Sequence, residues 1–342
     1  MSKHVPPQLP ASGRAKIAFV GEAPNDEELD KGQPLVGPSG RVFNAMLRSA
    51  NLERSEYLIT NVFDEQIPGD VETEVAKCRS AWMKDEARVA DNFARLNAEI
   101  VATKPDVIVP MGATAMWAFT GINSIQNYRG SVTKATLIVP GAKLVPTYHP
   151  AAVMRNWQLL TIGVKDFEKA AAEAELGPNI VYPKVEIWVE PTVADVLSWV
   201  PQMQASPKLS VDIETGWGQI TSIAFAPTTS LAFEIPFVDL RKPNKSYWPT
   251  VEQERDVWLA VRDVLEYPNP KVGQNYMYDL FWLYMQKGIA TRNYRFDTRL
   301  RHKVLFPELP ADLANMSATY TRIGAYKGWG GRYQKATEKK DG

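Results

Sequence analysis

Four short apolar runs, KIAFVG (16–21), YLITN (57–61), DVIVPMG (106–112) and KLVPTYHP (143–150), punctuate the first half of the chain, with helical patterns between them. Runs this short and rich in β-branched residues, alternating with longer amphipathic stretches, specify a parallel α/β sheet. The longest helical stretch, about Glu72 to Lys104, holds no internal Pro or Gly and stops at Pro105 before the next strand. Polar residues follow each run directly. In open α/β sheets ligands sit beyond the carboxyl ends of the strands, so Glu22, Asn61, Gly112 and His149 are expected to converge on one crevice.

A second unit is expected after a helix ending near Leu176. Residues 177–193 carry Pro178, Pro183 and Pro191 and read as a linker leading into an edge strand. LSVDIE (209–214), QITSIAFA (219–226) and LAFEIPF (231–237) then look like an antiparallel meander. Helical patterns follow at 251–267, 278–288 and 310–320, with a short buried strand at 271–273. The organisation is thus a flexible arm (1–15), a first domain (16–176), the linker, a second domain (194–325) and a basic tail (326–342).

At 342 residues and 45% hydrophobic content the chain can bury two ordinary cores. No apolar run approaches the roughly 18–20 residues of a membrane span, so no membrane partner is expected. A single cysteine, Cys78, excludes an intrachain disulfide, a four-thiolate zinc site and an iron–sulfur cluster held by this chain alone. Lys+Arg and Asp+Glu balance at 39 each, so nucleic-acid binding would have to rest on local patches such as 271–304, with seven Lys/Arg against Asp279 and Asp297.

In VDIET the alternation of a strand puts Asp212 and Glu214 on one face, about 6 to 7 Å apart. Adjacent like charges are unfavourable unless they share a cation, and hard oxygen ligands suit Mg²⁺ or Mn²⁺. VGQNYMYD brings Asp279 near a helix start with Asn275 four residues earlier, and FDT supplies Asp297. These segments, followed by FDTRLRHKVLFPELPADLANMSATYT, resemble the proofreading 3′–5′ exonuclease domain of the DNA polymerase I family, within the DEDD superfamily, which implies a ribonuclease H-like fold with a mixed sheet. The resemblance covers roughly 185–325. It implies that Asp212, Glu214 and Asp279 bind metal and act in catalysis, that Asn275 supports the terminal nucleotide, and that Asp297 is structural. The family's third motif, Tyr-x-x-x-Asp, is not met: Tyr326 is followed by Gly330 and Tyr333 by Thr337.

The stretch GEAPNDEELDKGQPLVGPSG (21–40) packs five carboxylates into residues 22–30. A phosphate cradle would want the opposite charge, leaving a metal, a neutral base or nothing as its occupant. Together with YLITNVF, Cys78 in EVAKCRSAW, DVIVPMGATA, YRG (128–130) and TYHPAAVMR (147–155), this stretch resembles a family 4-type uracil-DNA glycosylase, including versions associated with bacteriophage polymerases. The implied fold is a parallel-sheet sandwich over roughly 14–172. Such enzymes flip the target nucleotide and read its edge with fixed hydrogen bonds. The resemblance gives Glu22 the cationic sugar or the water, His149 the departing base and Asn61 the uracil edge. It adds Ala23, Leu35 and Glu28 to the pocket, and makes Pro150, Val153, Met154 and Arg155 a DNA-contacting loop, with Val153 or Met154 filling the vacated space. Only Cys78 matches the family's cluster cysteines, so no iron–sulfur cluster is expected, and Leu35 stands where the family usually has Phe.

The expected activity is uracil excision, metal-dependent removal of 3′-terminal nucleotides, or both. The substrates would be uracil-containing DNA and single-stranded or frayed 3′ ends, handled with a separate DNA polymerase in a bacterial host cytoplasm. The alternative is a catalytically weakened DNA-binding accessory subunit of a polymerase.

Overall fold

The computed structural model describes residues 4–67 and 83–322. Cys78 and the tail from 323, with Tyr326 and Tyr333, lie outside the described residues. The chain divides into two compact units, Met1–Tyr182 with Ala314–Gly342, and Pro183–Leu313.

In the first unit, β1 (Ile17–Gly21), β2 (Leu58–Asn61), β3 (Val107–Pro110), β4 (Thr133–Lys134) and β5 (Lys143–Leu144) form a sheet in the order β2-β1-β3-β5-β4. All neighbours are parallel except the short edge pair β4–β5. Alternation along the strands builds two cores. Ile17, Phe19, Ile59, Val107 and Val109 pack on one face with α2 (Pro38–Ser49) and α6 (Leu159–Glu175), through Phe43, Met46, Phe167 and Ala170. Ala18, Val20, Leu58, Ile108 and Leu144 pack on the other with α3 (Glu86–Thr103) and α4 (Ala113–Thr120), through Leu96, Ile100, Ala115 and Phe119. Phe19 anchors the first core, with ring centroids 5.2 Å from Phe43 and 4.8 Å from Phe167. Among the described residues this unit also has the helices α1 (Asp26–Lys31), α5 (Pro150–Arg155) and α11 (Leu313–Tyr320).

Three expectations change here. The helix expected from Glu72 starts at Glu86, where Asp85 accepts the Arg88 N–H as N-cap; residues 68–82 lie outside the described residues. The arm is not free over 4–15, because β2 is an edge strand whose open backbone pairs with Gln8 through Ile59, and Val5 and Ala15 are buried. The second domain, expected to run to 325, gives up residues from Ala314 to the first unit.

In the second unit, β6 (Glu186–Trp188), β7 (Leu209–Gly216), β8 (Gln219–Thr228), β9 (Leu231–Pro236), β10 (Lys271–Gly273) and β11 (Tyr294–Asp297) form a sheet in the order β11-β10-β7-β8-β9-β6. The meander β7–β8–β9 is antiparallel, while β10, β11 and β6 pair in parallel, giving the mixed sheet expected. Leu209, Val211 and Ile213 turn into the core, so Ser210, Asp212 and Glu214 turn out of it. Helices α7 (Val193–Ala205), α8 (Val251–Leu265), α9 (Met277–Lys287) and α10 (Thr298–Leu305) complete the unit. The first and the last of these were not anticipated.

Candidate active sites

In the first unit β1 and β2 run in register to Gly21 and Asn61, which are paired. A methyl carbon on Gly21 would overlap Asn61 Oδ1 and stand 3.5 Å from His149 Nε2. Gly21 is therefore the clearance that lets the Asn61 and His149 side chains meet above the strand ends. Gly112, at φ +91°, backs onto His149 from the far side: a methyl there would sit 3.1 Å from His149 Cβ. Asn61, Gly112 and His149 thus gather around the end of β1 as expected, and Glu22 follows that strand end directly in the chain.

Each side chain is held by its backbone. Glu22 follows Gly21 directly, and its carbonyl accepts from Phe63 N at 2.9 Å. Arg95 on α3, which the sequence did not single out, donates through Nη2 to the carbonyls of Asn61 and Val62, both at 2.8 Å. Asn61 is 4% exposed, and its Oδ1 has no hydrogen-bond partner. A buried acceptor left open costs about 1–3 kcal/mol, so it marks a place where a donor is expected. His149 is the N-cap of α5, with Nδ1 accepting from Ala151 N at 3.1 Å. One nitrogen of this histidine therefore serves as a helix cap. Its lone pair on Nδ1 puts the proton of the neutral ring on Nε2, the atom 3.5 Å from where a Gly21 methyl would stand.

The acidic stretch is explained by helix α1. Asn25 and Glu28 form a capping box, and Asp26, Glu27 and Glu28 fill the first turn, where the helix dipole favours negative charge. Glu28 is 2% exposed and its Oε2 accepts from Asn25 N at 3.0 Å. Burial raises its pKa, opposed by the backbone amides of Asn25, Gly37, Val36 and Leu35, although Oε1 closes no hydrogen bond within strict geometry. Its observed part is to fix this turn. Glu27 pairs with Lys31 at 2.7 Å, and Asp26 accepts from Gln66 at 2.9 Å. Leu35 is held at φ 51° with its carbonyl on Arg54 Nη1 at 2.9 Å, and its side chain joins the core with Phe43 and Met46. Ala23, half-buried, lies against the opposite core.

The loop expected to touch DNA is split by the helix it forms. Val153 is fully buried among Phe43, Met46 and Phe167, so it cannot fill a vacated base position; α5 turns it inward. Pro150 is buried as well, at the first position of α5. Met154 is 45% exposed and Arg155 is exposed, joined by Trp157 at 61%, which the sequence did not single out.

In the second unit Asp212 and Glu214 lie on the exposed face of β7 as expected. Asp279, 3% exposed on α9, accepts the Ile213 N–H between them at 2.9 Å. Burial pushes Asp279 up to about 7, with Asp212 adding to the effect and the Ile213 amide opposing it. Asp212 belongs to an exposed residue, yet dense packing around the carboxyl itself and then the charge of Glu214 push it up to about 6. Joint ligation by Asp212, Glu214 and Asp279 is not met as a closed set. Among the described residues no group of three or more His, Cys, Asp or Glu stands ready to hold a metal ion, and one Asp279 oxygen is committed to the β7 backbone.

Asp297 is structural: it accepts from the amides of Asn275, Tyr276 and Leu300 and from Tyr294 Oη. These donors hold it below its ordinary value although burial pushes the other way. Asn275, at φ 55°, accepts from Arg299 Nη1 at 2.9 Å. The basic patch is partly spent internally. Lys271 is fully buried on the carbonyls of Tyr267 and Asn269, and Lys303 donates to those of Pro307 and Leu309.

Residues 7–175 match the uracil DNA glycosylase superfamily, and residues 191–330 match a 3′–5′ exonuclease family. The chain is 33% identical over 159 residues to the type-4 uracil-DNA glycosylase of Thermotoga maritima, covering 45% of this chain and 76% of that protein. It is 32% identical over 161 residues to the type-4 enzyme of Archaeoglobus fulgidus, covering 46% and 75%. A DNA polymerase of Bacillus phage SP01 is 22% identical over 258 residues, 74% of this chain but 25% of that protein. Among solved structures, the EXD2 exonuclease domain soaked in Mg and dGMP is 18% identical, covers 42% of this chain and 72% of its own, and superposes with a TM-score of 0.25. That superposition is too loose to carry residue correspondences.

Proposed function

Because the chain belongs, through its first unit, to the uracil-DNA glycosylase superfamily and carries a 3′–5′ exonuclease domain in its second, we propose that it excises uracil from DNA at Glu22, Asn61 and His149. The observation that carries this reading is the buried, partnerless Asn61 Oδ1 beside His149 Nε2. A flipped uracil presents N3–H next to a carbonyl, so it offers a donor to Asn61 and an acceptor to His149. As the glycosidic bond breaks, negative charge grows on the base, and a hydrogen bond from His149 Nε2–H strengthens with it. Positive charge grows on the sugar, where the carboxylate of Glu22 stabilises it or orients the attacking water. The Ala151 amide fixes which imidazole nitrogen donates, and Arg95 fixes the Asn61 backbone.

For the second unit we infer metal-dependent removal of 3′-terminal nucleotides. Asp212 and Glu214 offer hard oxygen donors from one strand face, and the raised Asp212 and Asp279 carboxyls are groups whose ionisation a cation would favour. Mg²⁺ is commonly held by one or two carboxylates, with water and substrate phosphate filling its other positions, so an open carboxylate set still fits it. A bound Mg²⁺ or Mn²⁺ would supply Lewis acidity and an activated water. Asp279, through Ile213 N–H, sets the strand end that carries Asp212 and Glu214. The likeness to a phage DNA polymerase over 74% of this chain supports work alongside a polymerase on DNA. The open carboxylate set and the core-packed Leu35 favour a second reading, a DNA-binding polymerase accessory with weakened catalysis.

Uracil-containing single- and double-stranded oligonucleotides, incubated with the protein and then alkali, test the first activity. Strand breaks that disappear in Glu22→Gln support it, and intact strands at high enzyme refute it. Digestion of a labelled single strand with Mg²⁺ or Mn²⁺ tests the second, with Asp212→Ala as the inactive control. Activity persisting in that variant would place the chemistry elsewhere.

A further inference from the structure

The chain leaves the first unit at Tyr182, forms the second, and returns at Ala314. The returning segment, α11 with Thr321 and Arg322, is received by buried polar groups. Arg129, 1% exposed, directs Nε and Nη2 onto the carboxylate of Asp166, which is equally buried. Its third arm, Nη1, donates to Thr319 Oγ1 at 3.2 Å, and that hydroxyl donates its own hydrogen to Asn315 O at 2.8 Å. Lys169 Nζ bridges Gly130 O at 2.8 Å, Thr321 O at 2.9 Å and Ala318 O. Arg322 forks onto both oxygens of Glu173, at 2.6 and 2.8 Å. Gly130, at φ +66°, has no room for a side chain, because a methyl would meet Asp166 Oδ1 at 2.7 Å and Ala318 O at 2.9 Å.

Asp166 carries this network to the strand end below His149. Its Oδ2 accepts from Thr147 Oγ1 at 2.8 Å. Thr147 is fully buried, with N donating to Pro110 O at 3.0 Å and O accepting from Gly112 N at 2.9 Å. Gly112 is the residue against which His149 packs. Gly130 N, in turn, donates to Pro146 O at 2.7 Å. A guanidinium this deeply buried cannot turn to water for a replacement partner, so losing Thr319 Oγ1 must be answered by movement of Arg129 and Asp166.

We propose that residues 314–322 are a positioning element of the base-excision site: through Thr319, Arg129, Asp166 and Thr147 they hold the strand end that presents His149. The proposal rests on the glycosylase reading of that site. The same residues fall within the stretch matched to the exonuclease family, 191–330, so one segment of sequence with exonuclease character serves the other unit.

The test uses the full chain with Thr319→Val, which removes the hydroxyl, and Thr319→Ser, which restores it. Hydrogen exchange at the amides of Gly112, Gly130 and Thr147 is followed beside kcat and KM for uracil excision and the 3′-exonuclease rate. Thr319→Val is expected to speed exchange at these amides and to lower kcat, each by about ten-fold, with KM within about two-fold; a small displacement of a positioned group has effects of this order. Thr319→Ser returns both to the wild-type values, and the exonuclease rate stays constant. Wild-type exchange in Thr319→Val overturns the proposal, as does faster exchange with unchanged kcat. If the wild-type protein releases no uracil, the glycosylase reading fails, and the exchange comparison alone decides whether residues 314–322 hold that strand end. Should Thr319→Val not fold, Arg322→Gln, whose side chain is 33% exposed at the network's edge, is the milder substitute, judged on the same exchange and kcat readouts.

Discussion

Gly21→Ala adds one methyl group at the point where three elements meet. The backbone tolerates it, since Gly21 is extended within β1 and is absent from the positive-φ glycines. The methyl carbon overlaps Asn61 Oδ1, and Asn61, 4% exposed with its carbonyl tied to Arg95, can yield only by shifting its side-chain amide. Relief requires the amide to move by about 1 Å, and a misplacement of that size costs on the order of 100-fold in rate. In activation free energy this is about 2.7 kcal/mol. The fold loses a comparable amount, because inserting one methyl group into packed surroundings costs about 1–3 kcal/mol. Single-turnover release of uracil from an oligonucleotide, read beside thermal unfolding, separates the two effects. A folded Gly21→Ala protein that excises uracil at the wild-type rate would refute the placement of Asn61 and His149 above Gly21.

Asp279→Asn keeps an acceptor for Ile213 N–H but removes a charge. The folded Asp279 carboxyl stands at about 7 against an ordinary value of 3.8, so its stabilising contribution is full below about pH 4 and is lost as pH rises through 7. The variant should therefore unfold at higher temperature than wild type at pH 8, by a margin that shrinks towards pH 5, while losing exonuclease activity; a margin that grows towards pH 5 contradicts the sign. Mg²⁺ or Mn²⁺ should raise the unfolding temperature of the second unit more at pH 8 than at pH 5, where protons compete for Asp212 and Asp279, and Asp212→Ala should remove the effect. Equal shifts at the two pH values would speak against metal binding at these carboxylates. Val153→Ala should cost about 1–3 kcal/mol of stability as a core truncation. Met154→Ala and Trp157→Ala should leave stability unchanged and weaken DNA binding, as titration with a uracil-containing duplex would show.

Much of the first site was legible because strand ends are easy to find and ligands gather beyond them. The runs ending at Gly21 and Asn61, and the His149-Pro150 junction, fixed which side chains would meet. The acids of 22–30 left a metal, a neutral base or nothing as alternatives, although Asn25 and Glu28 have capping-box spacing across the start of a helix, and that spacing was the available signal. Val153 was misplaced because PAAVMR was taken as a loop, and as a helical turn it directs that position to the core. In the second unit the period-2 pattern located Asp212 and Glu214 correctly, but no spacing along the chain reveals that Asp279 is shared with the Ile213 amide. The Arg129–Asp166–Thr319 network joins positions 190 residues apart, and no local pattern in the sequence connects them.

The central claim is that Glu22, Asn61 and His149 form a uracil-excising site. Direct measurement of free uracil released from a labelled oligonucleotide, with enzyme in excess and with Asn61→Ala and His149→Ala alongside, tests it most directly. The account predicts release by the wild-type protein and a loss of at least about ten-fold in each variant, the worth of one buried hydrogen bond to the flipped base. No release by folded wild-type protein, or release undiminished in both variants, would contradict it.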